Sequence, residues 1–234
     1  MTPGVKAATA DVLGEIAAVR VIPVVVLDDV ADAAPLADAL AGAGLRCAEV
    51  TLRTIAGEEA IAVMARRGDL LVGAGTVLDV SQVERVARAG ARFVVSPGFD
   101  DEVVAACRDS GLLALPGAVT PTEIQRARRA GLDAVKFFPA EALGGIEVID
   151  ALSAPFPGMR FVPTGGITPA NVEPYLAHRA VLAVGGSWMV PRRLLAGGRW
   201  EQVARLAAEA AQLAAEVSAA EVSAPATPRQ RGTR

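Results

Sequence analysis

The chain has 234 residues, a length that suits one α/β barrel and would also accommodate two small domains. Hydrophobic residues make up 52% of it against 21% charged, ample for a closed core and far from the composition of disordered chains. The formal net charge is only -3 and the arginines are spread along the chain, which argues against a nucleic-acid or anionic-membrane surface and for small-molecule partners.

Val5 to Val19 reads as an amphipathic helix ahead of the first strand, placed to plug the bottom of a barrel. The first strand, Val21 to Leu27, is the most apolar run. It falls far short of the roughly 20 residues that span a bilayer, and no basic region with an apolar stretch precedes it. A soluble, untargeted, cytoplasmic protein is therefore expected. Short β-rich runs then recur about every 20–25 residues, each closed by Gly, Pro, Ser, Thr or Asp and followed by apolar residues at helical spacing. They are Arg46 to Thr51, Leu70 to Gly73, Arg92 to Ser96, Leu112 to Leu115, Asp133 to Phe138, Arg160 to Thr164 and Val181 to Gly185. Near-continuous apolar strands such as VIPVVVL imply burial on both faces, as parallel strands require.

Between strands, Val30 to Ala43 and Ser81 to Ala89 carry an apolar stripe opposite charges, the pattern of helices that cover a sheet. Ser81, Thr120 before Pro121 and Thr168 before Pro169 are the expected helix starts, and Gly44, Gly90, Gly111 and Gly131 the expected ends. Eight strand–helix units predict a (β/α)8 TIM barrel with an extra N-terminal helix, an open flavodoxin-type sheet being the alternative. Trp200 to Val217 reads as a last helix, so residues 1–217 form a single barrel domain. Ser218 to Arg234 mixes Ala, Ser, Pro, Thr and Arg without helical period and is expected to be a disordered tail. Cys47 and Cys107 lie in apolar stretches without CxxC spacing, as reduced core thiols do.

Only Lys6 and Lys136 among the 23 basic residues are lysine. Lys136 sits within DAVKFFP, an apolar strand where a charged ammonium is costly unless it is paired or sheds its proton. An amine nucleophile needs its lone pair, and at the reference pKa of about 10.4 only roughly a few lysines in ten thousand are neutral at pH 7. Desolvation favours the neutral amine, a state guanidinium cannot reach, so a Schiff-base role explains both the place and the residue type. The competing reading is a lysine that snorkels from the strand end or pairs with a carboxylate.

In Ala48-Glu49-Val50-Thr51-Leu52-Arg53, alternation puts Glu49, Thr51 and Arg53 on one face of an extended strand. With Val50 and Leu52 under the helices, that polar face points to the barrel axis near the strand's C-terminal end, where barrel enzymes keep their active sites. Glu49 would serve as proton carrier and Arg53 as the cation for a substrate carboxylate. A buried Glu–Arg pair that satisfies itself is the plainer alternative. Thr76, in GAGTV, could add a hydroxyl donor to the same carboxylate.

The seventh and eighth strands end in Thr164-Gly165-Gly166 and Gly185-Gly186-Ser187. Glycine lets an anion approach the backbone closely, and N–H groups at the following helix start can hold it, so Gly165, Gly166, Gly185, Gly186 and Ser187 are the expected phosphate site. Metal and cofactor chemistry has little to work with. The one histidine, His178, lies near a helix end, no zinc ligand set or Ser-His-Asp triad can be assembled, and neither a P-loop nor a dinucleotide-binding GxGxxG is present.

EVTLRT, GAGTVL, SPG, PG, KFFPAE, PTGGI and GGSW follow one another in order, at the ends of the predicted strands. With these motifs the chain, from about Ile22 to about Glu216, resembles the class I aldolases of 2-keto-3-deoxy-6-phosphogluconate (KDPG), which often also accept 2-keto-4-hydroxyglutarate (KHG). The resemblance implies that Lys136 forms an iminium with the C2 carbonyl and that Glu49 is the general acid/base. It implies that Arg53 and Thr76 hold the pyruvate carboxylate, that Pro97 and Phe138 line the keto-acid pocket, and that Thr164 joins the glycines and Ser187 on the phosphate side. It implies cleavage to pyruvate and glyceraldehyde 3-phosphate, no cofactor, and a homotrimer. Phosphogalactonate aldolases look different at the EVTLRT and FFPAE positions. Two other function classes fit the same composition: a phosphate-binding isomerase or transferase of the thiamin phosphate synthase kind, with Lys136 as an electrostatic clamp, and a non-catalytic self-assembling scaffold.

Overall fold

The computed structural model describes residues 3–223, with side chains from residue 8 to residue 219. Strands β1 (Val21–Val25), β2 (Cys47–Thr51), β3 (Leu71–Gly75), β4 (Phe93–Val95), β5 (Leu113–Leu115), β6 (Ala134–Phe137), β7 (Arg160–Pro163) and β8 (Val184–Gly186) fall within or beside the eight predicted runs. Helix α1 (Pro3–Val19) precedes them. α2 (Ala33–Gly42), α3 (Gly57–Ala65), α4 (Val80–Arg88), α5 (Asp101–Asp109), α6 (Pro121–Arg129), α7 (Gly145–Ser153) and α8 (Val172–Leu176) occupy the connections, and α9 (Arg192–Leu195) and α10 (Trp200–Ser223) follow β8.

Every ladder is parallel. Six strands form one curled sheet in the order β5-β4-β3-β2-β1-β8, and β6 pairs with β7. The continuous eight-strand ladder expected of a (β/α)8 barrel is thus replaced by two ladders, which meet at the isolated bridges Gly117↔Lys136, Phe161↔Val181 and Thr164↔Gly185. At the first seam Lys136 N donates to Pro116 O and Ala118 N donates to Lys136 O, both at 2.9 Å, but Pro116 has no N–H with which to extend the ladder along β6.

Strand alternation sorts the core into two layers. Ala48, Val50, Val135, Phe137, Phe161 and Val184 face outward and pack with the helices. Ile22, Cys47, Leu71, Phe93, Leu113, Ala134 and Val162 face inward, where Val12 and Ile16 of α1 join them. The N-terminal helix therefore seals the lower end of the strands, as its place ahead of β1 predicted. On β3 the inward positions after Leu71 are glycine, Gly73 and Gly75. A Cβ at Gly73 would lie 2.3 Å from the Phe93 ring, so the ring fills the space that a side chain on β3 would take.

Thr120 caps α6 with the full reciprocal arrangement: its hydroxyl accepts from Glu123 N while the Glu123 carboxylate accepts from Thr120 N, and Pro121 opens the helix. Gly131, at φ 80°, ends it in the left-handed conformation that favours glycine. Two other predicted starts move. α4 is capped by Asp79 rather than Ser81; the Asp79 carboxylate accepts from Gln82 N at 2.8 Å and Ser81 merely donates to it. After β7, Thr168 N donates to the Asn171 side chain at 2.7 Å, so Thr168 and Pro169 form a turn and the short helix begins only at Val172. The last helix runs to Ser223, past the Val217 boundary expected from the sequence. Ser218 donates its hydroxyl to Ala214 O within the helix, and the alanines around it sustain helical backbone. Residues 224–234 of the expected tail lie outside the described residues. Among the described residues, no helix is long and apolar enough to cross a membrane.

Candidate active site

β6 carries Lys136 on the same inward face as Ala134, and β2 carries Glu49 on the same inward face as Cys47. The two side chains meet inside the strands, with Lys136 Nζ 3.5 Å from Glu49 Oε1. Lys136 is 6% exposed and Glu49 2%, so neither charge is solvated by bulk water and each is the other's closest ionic partner. The Lys136 nitrogen also lies 5.1 Å from the centroid of the Phe138 ring, within cation–π range. Room for the carboxylate comes from β3. A Cβ at Gly75 would lie 2.3 Å from Glu49 Oε1, so Gly75 vacates the volume that Glu49 fills.

Phe138 is also part of the wall of a cavity of about 380 Å³, a size that suits a small organic ligand. Arg53, Thr164, Gly165, Gly166, Gly185, Gly186 and Ser187 line the same cavity, so eight of the residues singled out in the sequence share one space. Lys136 and Glu49 are not themselves among the lining residues; the links from the pair to the wall are Val24, paired in register with Glu49, and Phe138, whose ring lies 5.1 Å from Lys136 Nζ. Arg53 reaches the cavity from a turn, not from the strand, because β2 ends at Thr51. Thr51 spends its hydroxyl on Val25 O at 2.9 Å. Thr76 and Pro97 are not among the lining residues. Thr76 follows β3, half-buried, with φ 58°, an unusual conformation for a β-branched residue and one that tends to be kept at functional sites. Pro97 is exposed, and its carbonyl oxygen would lie 2.1 Å from a Cβ at Gly117.

Only Gly165 and Gly166 form the expected turn; Gly185 and Gly186 stay within β8, in register with Ile22 and Pro23, and both glycine pairs are packed from behind. A Cβ at Gly185 would meet Thr164 Oγ1 at 2.3 Å and one at Gly166 would meet the Glu141 side chain at 2.6 Å, so both pairs sit closer to their neighbours than any side chain would permit. Asn171 Nδ2 donates to Gly166 O at 3.1 Å. Tyr175 donates its hydroxyl to Glu141, and burial together with that carboxylate pushes the phenol well above its ordinary pKa. These contacts hold the backbone around Gly165 and Gly166 in place.

Sequence reasoning missed Gly75, Asp28 and Arg192. The alternation in Leu71-Val72-Gly73-Ala74-Gly75 could have indicated that beyond Leu71 β3 presents no side chain inward. Arg192 lines the cavity and pairs with Asp28, but nothing local distinguishes it from the other arginines. Among the described residues, no group of three or more His, Cys, Asp and Glu side chains converges as metal ligands would.

Comparison with known proteins gives the same frame. A 2-dehydro-3-deoxy-phosphogluconate aldolase of Treponema pallidum is 52% identical over 196 residues, 83% of this chain and 93% of that one. A KDPG aldolase of Legionella pneumophila, solved with pyruvate captured as a covalent carbinolamine intermediate, superposes with a TM-score of 0.82 at 40% identity, over 85% of this chain and 97% of that one. A 2-keto-3-deoxy-6-phosphogluconate aldolase of Zymomonas mobilis, solved with 3-phosphoglycerate, gives a TM-score of 0.80 at 38% identity, over 86% and 95%. Residues 12–206 match the family described as KDPG and KHG aldolase, and the chain belongs to that family.

Proposed function

We propose that this chain is a class I aldolase, a carbon–carbon lyase that splits 2-keto-3-deoxy-6-phosphogluconate to pyruvate and glyceraldehyde 3-phosphate. 4-Hydroxy-2-oxoglutarate, cleaved to pyruvate and glyoxylate, is the second substrate of this reading. One observation carries it: a buried lysine nitrogen 3.5 Å from a buried carboxylate, next to a cavity lined by two arginines and by the glycines of β8 and of the loop after β7. The chemistry needs an amine to capture a ketone, a proton carrier within reach of it, and separate anion sites for the two ends of the substrate. The isomerase or transferase reading gives the carboxylate no role, and the scaffold reading gives none to the pair.

Lys136 adds through its Nζ lone pair to the C2 carbonyl, and the carbinolamine loses water to become an iminium. Glu49 takes the C4 hydroxyl proton as the C3–C4 bond breaks. The bond's electrons move into an enamine at C3, and the new aldehyde leaves. Glu49 returns the proton to C3, and water hydrolyses the iminium to pyruvate and the free lysine. Arg53 holds the keto-acid carboxylate with Thr76 assisting, Pro97 and Phe138 bound the pyruvate end, and Thr164, Gly165, Gly166, Gly185, Gly186 and Ser187 form the phosphate end. No metal or organic cofactor enters any of these steps. The pyruvate carbinolamine of the Legionella relative and the 3-phosphoglycerate of the Zymomonas relative support the two halves of this assignment.

We also read the three isolated bridges as the closure of the eight strands into a barrel, with residues 1–217 as one domain. The assembly of this reading is a homotrimer. Ile55 is fully exposed and Leu78 59% exposed on the loops after β2 and β3, apolar side chains that a second copy would cover. A cytoplasmic location accords with two free, buried cysteines.

Borohydride reduction in the presence of pyruvate tests the mechanism. A pyruvate-derived mass is expected on the peptide containing Lys136 and absent from Lys136→Met, which should also have no turnover. A wild-type protein that emerges with unchanged mass would remove the Schiff base, and the reading with it. Light scattering of the purified protein tests the trimer.

A further inference from the structure

Arg192 stands at the start of α9, shortly after β8 ends at Gly186, and lines the same cavity as the glycines of β8 and of the loop after β7. Its guanidinium is held from one side. Nε donates to Asp28 Oδ2 at 2.7 Å and Nη2 donates to Asp28 Oδ1, a two-pronged ion pair linking the segment after β1 to the segment after β8. That pair holds the Asp28 carboxyl below the ordinary carboxylate range. Guanidinium has five N–H donors in a rigid plane. Asp28 engages two of them, which leaves the Nη1 edge and one Nη2 hydrogen outside the pair. The result is a cation with its orientation fixed and donors to spare.

Arg53 follows β2 and Arg192 follows β8, with β1 between those strands. Two strand spacings put β2 and β8 about 10 Å apart at the level of the sheet. Anion sites at the ends of those two strands therefore suit an extended six-carbon keto acid with a carboxylate at one end and a phosphate at the other. A phosphate monoester carries about -1.5 to -2 charges at pH 7, and backbone N–H groups offer dipoles but no full charge against it. Arg53, assigned to the carboxylate, is on the wrong side of β1 to supply one.

We propose that Arg192 is a specificity-determining residue of this pocket: it pairs with the phosphate of the substrate through the donors that Asp28 leaves unused, and it sets the preference for the phosphorylated keto acid over the same compound without phosphate. The proposal rests on the phosphate end of the aldolase reading above. It adds a charged side chain to a site otherwise made of glycine backbone and the hydroxyls of Thr164 and Ser187. Arginine suits the task because its planar fork can engage a carboxylate on one edge and a phosphate on another, which the point charge of a lysine cannot reproduce.

The test compares kcat/KM for 2-keto-3-deoxy-6-phosphogluconate with kcat/KM for 2-keto-3-deoxygluconate in the wild type, Arg192→Met and Arg192→Lys, and measures competitive inhibition by inorganic phosphate. Methionine keeps the length of the aliphatic stem, and a side chain that is 60% exposed can be replaced without opening the core. In the wild type the phosphorylated substrate should be preferred. In Arg192→Met that preference should fall at least tenfold and phosphate should inhibit less well, with Arg192→Lys recovering part of both. Unchanged preference and unchanged phosphate inhibition in Arg192→Met overturn the assignment while the aldolase reading stands. An equal loss on both substrates also overturns it, because it would mark the Asp28 pair as a structural clamp only. A wild type that turns over both compounds equally removes the phosphate end itself and this proposal together, and borohydride trapping judges the Schiff base separately.

Discussion

Replacing Gly75 by alanine isolates the packing that places the proton carrier. The new Cβ would lie 2.3 Å from Glu49 Oε1, 2.7 Å from its Cγ and 2.9 Å from its Cδ, where ordinary contacts begin near 3.4 Å. The carboxylate must therefore retreat by about 1 Å, and a misplacement of that size costs about 100-fold in rate when it separates reacting groups. Overpacking a core costs about 1–3 kcal/mol. Glu49 meets the new methyl with the flexible end of its side chain, so the low end of that range applies, and each kcal/mol lowers the melting temperature of a domain this size by about 2–4 °C. A modest loss of stability should accompany a large loss of kcat. Pyruvate release coupled to lactate dehydrogenase reads the rate, and a thermal melt reads the stability. If Gly75→Ala keeps kcat within threefold of wild type, Glu49 either does not need that volume or does not carry the proton, and the site as described is wrong.

Arg53→Ala should raise KM for the keto acid about 10- to 100-fold, the worth of a charge-assisted hydrogen bond of about 1.5–3 kcal/mol, with pyruvate still trapped on Lys136 at saturating concentration; an unaltered KM would place the carboxylate elsewhere. Thr120→Ala removes one half of the α6 capping box and should cost about 0.5–2 kcal/mol, read as a lower urea midpoint at constant slope. Burial pushes the Cys107 thiol up to about 12, and burial with the nearby Glu49 charge raises Cys47 as well. A raised thiol pKa depletes the reactive thiolate, leaving roughly one part in ten thousand of Cys107 ionised at pH 8. Ellman's reagent at that pH should label neither cysteine in the folded protein and both in denaturant; rapid labelling of the folded chain would show that these side chains open to solvent.

The period of two in the strands and of 3.6 in the helices is written residue by residue, which is why the eight strands, the plugging helix and the inward direction of Glu49 are legible in the sequence. The apolar residues on both sides of Lys136, by contrast, give no alternation from which its direction could be read. Helix ends were less legible. Asp79 and Ser81 are both good capping residues two positions apart, and the choice between them depends on where the chain arrives from β3. The six residues from Ser218 to Ser223 have no amphipathic stripe to reveal a helix, yet Ala219 and Ala220 favour helical backbone without one.

Residue chemistry and alternation belong to the chain itself: a lysine in an apolar strand, a carboxylate on the inner face of another, glycines where two strands end. Their meeting does not. Glu49 and Lys136 are 87 residues apart in sequence, and only the parallel stacking of strands between them brings nitrogen and oxygen to 3.5 Å. That Gly75 stands opposite Glu49 and so admits the carboxylate, and that the chain after β8 carries Arg192 to the cavity, likewise arise from how neighbouring strands and loops share space.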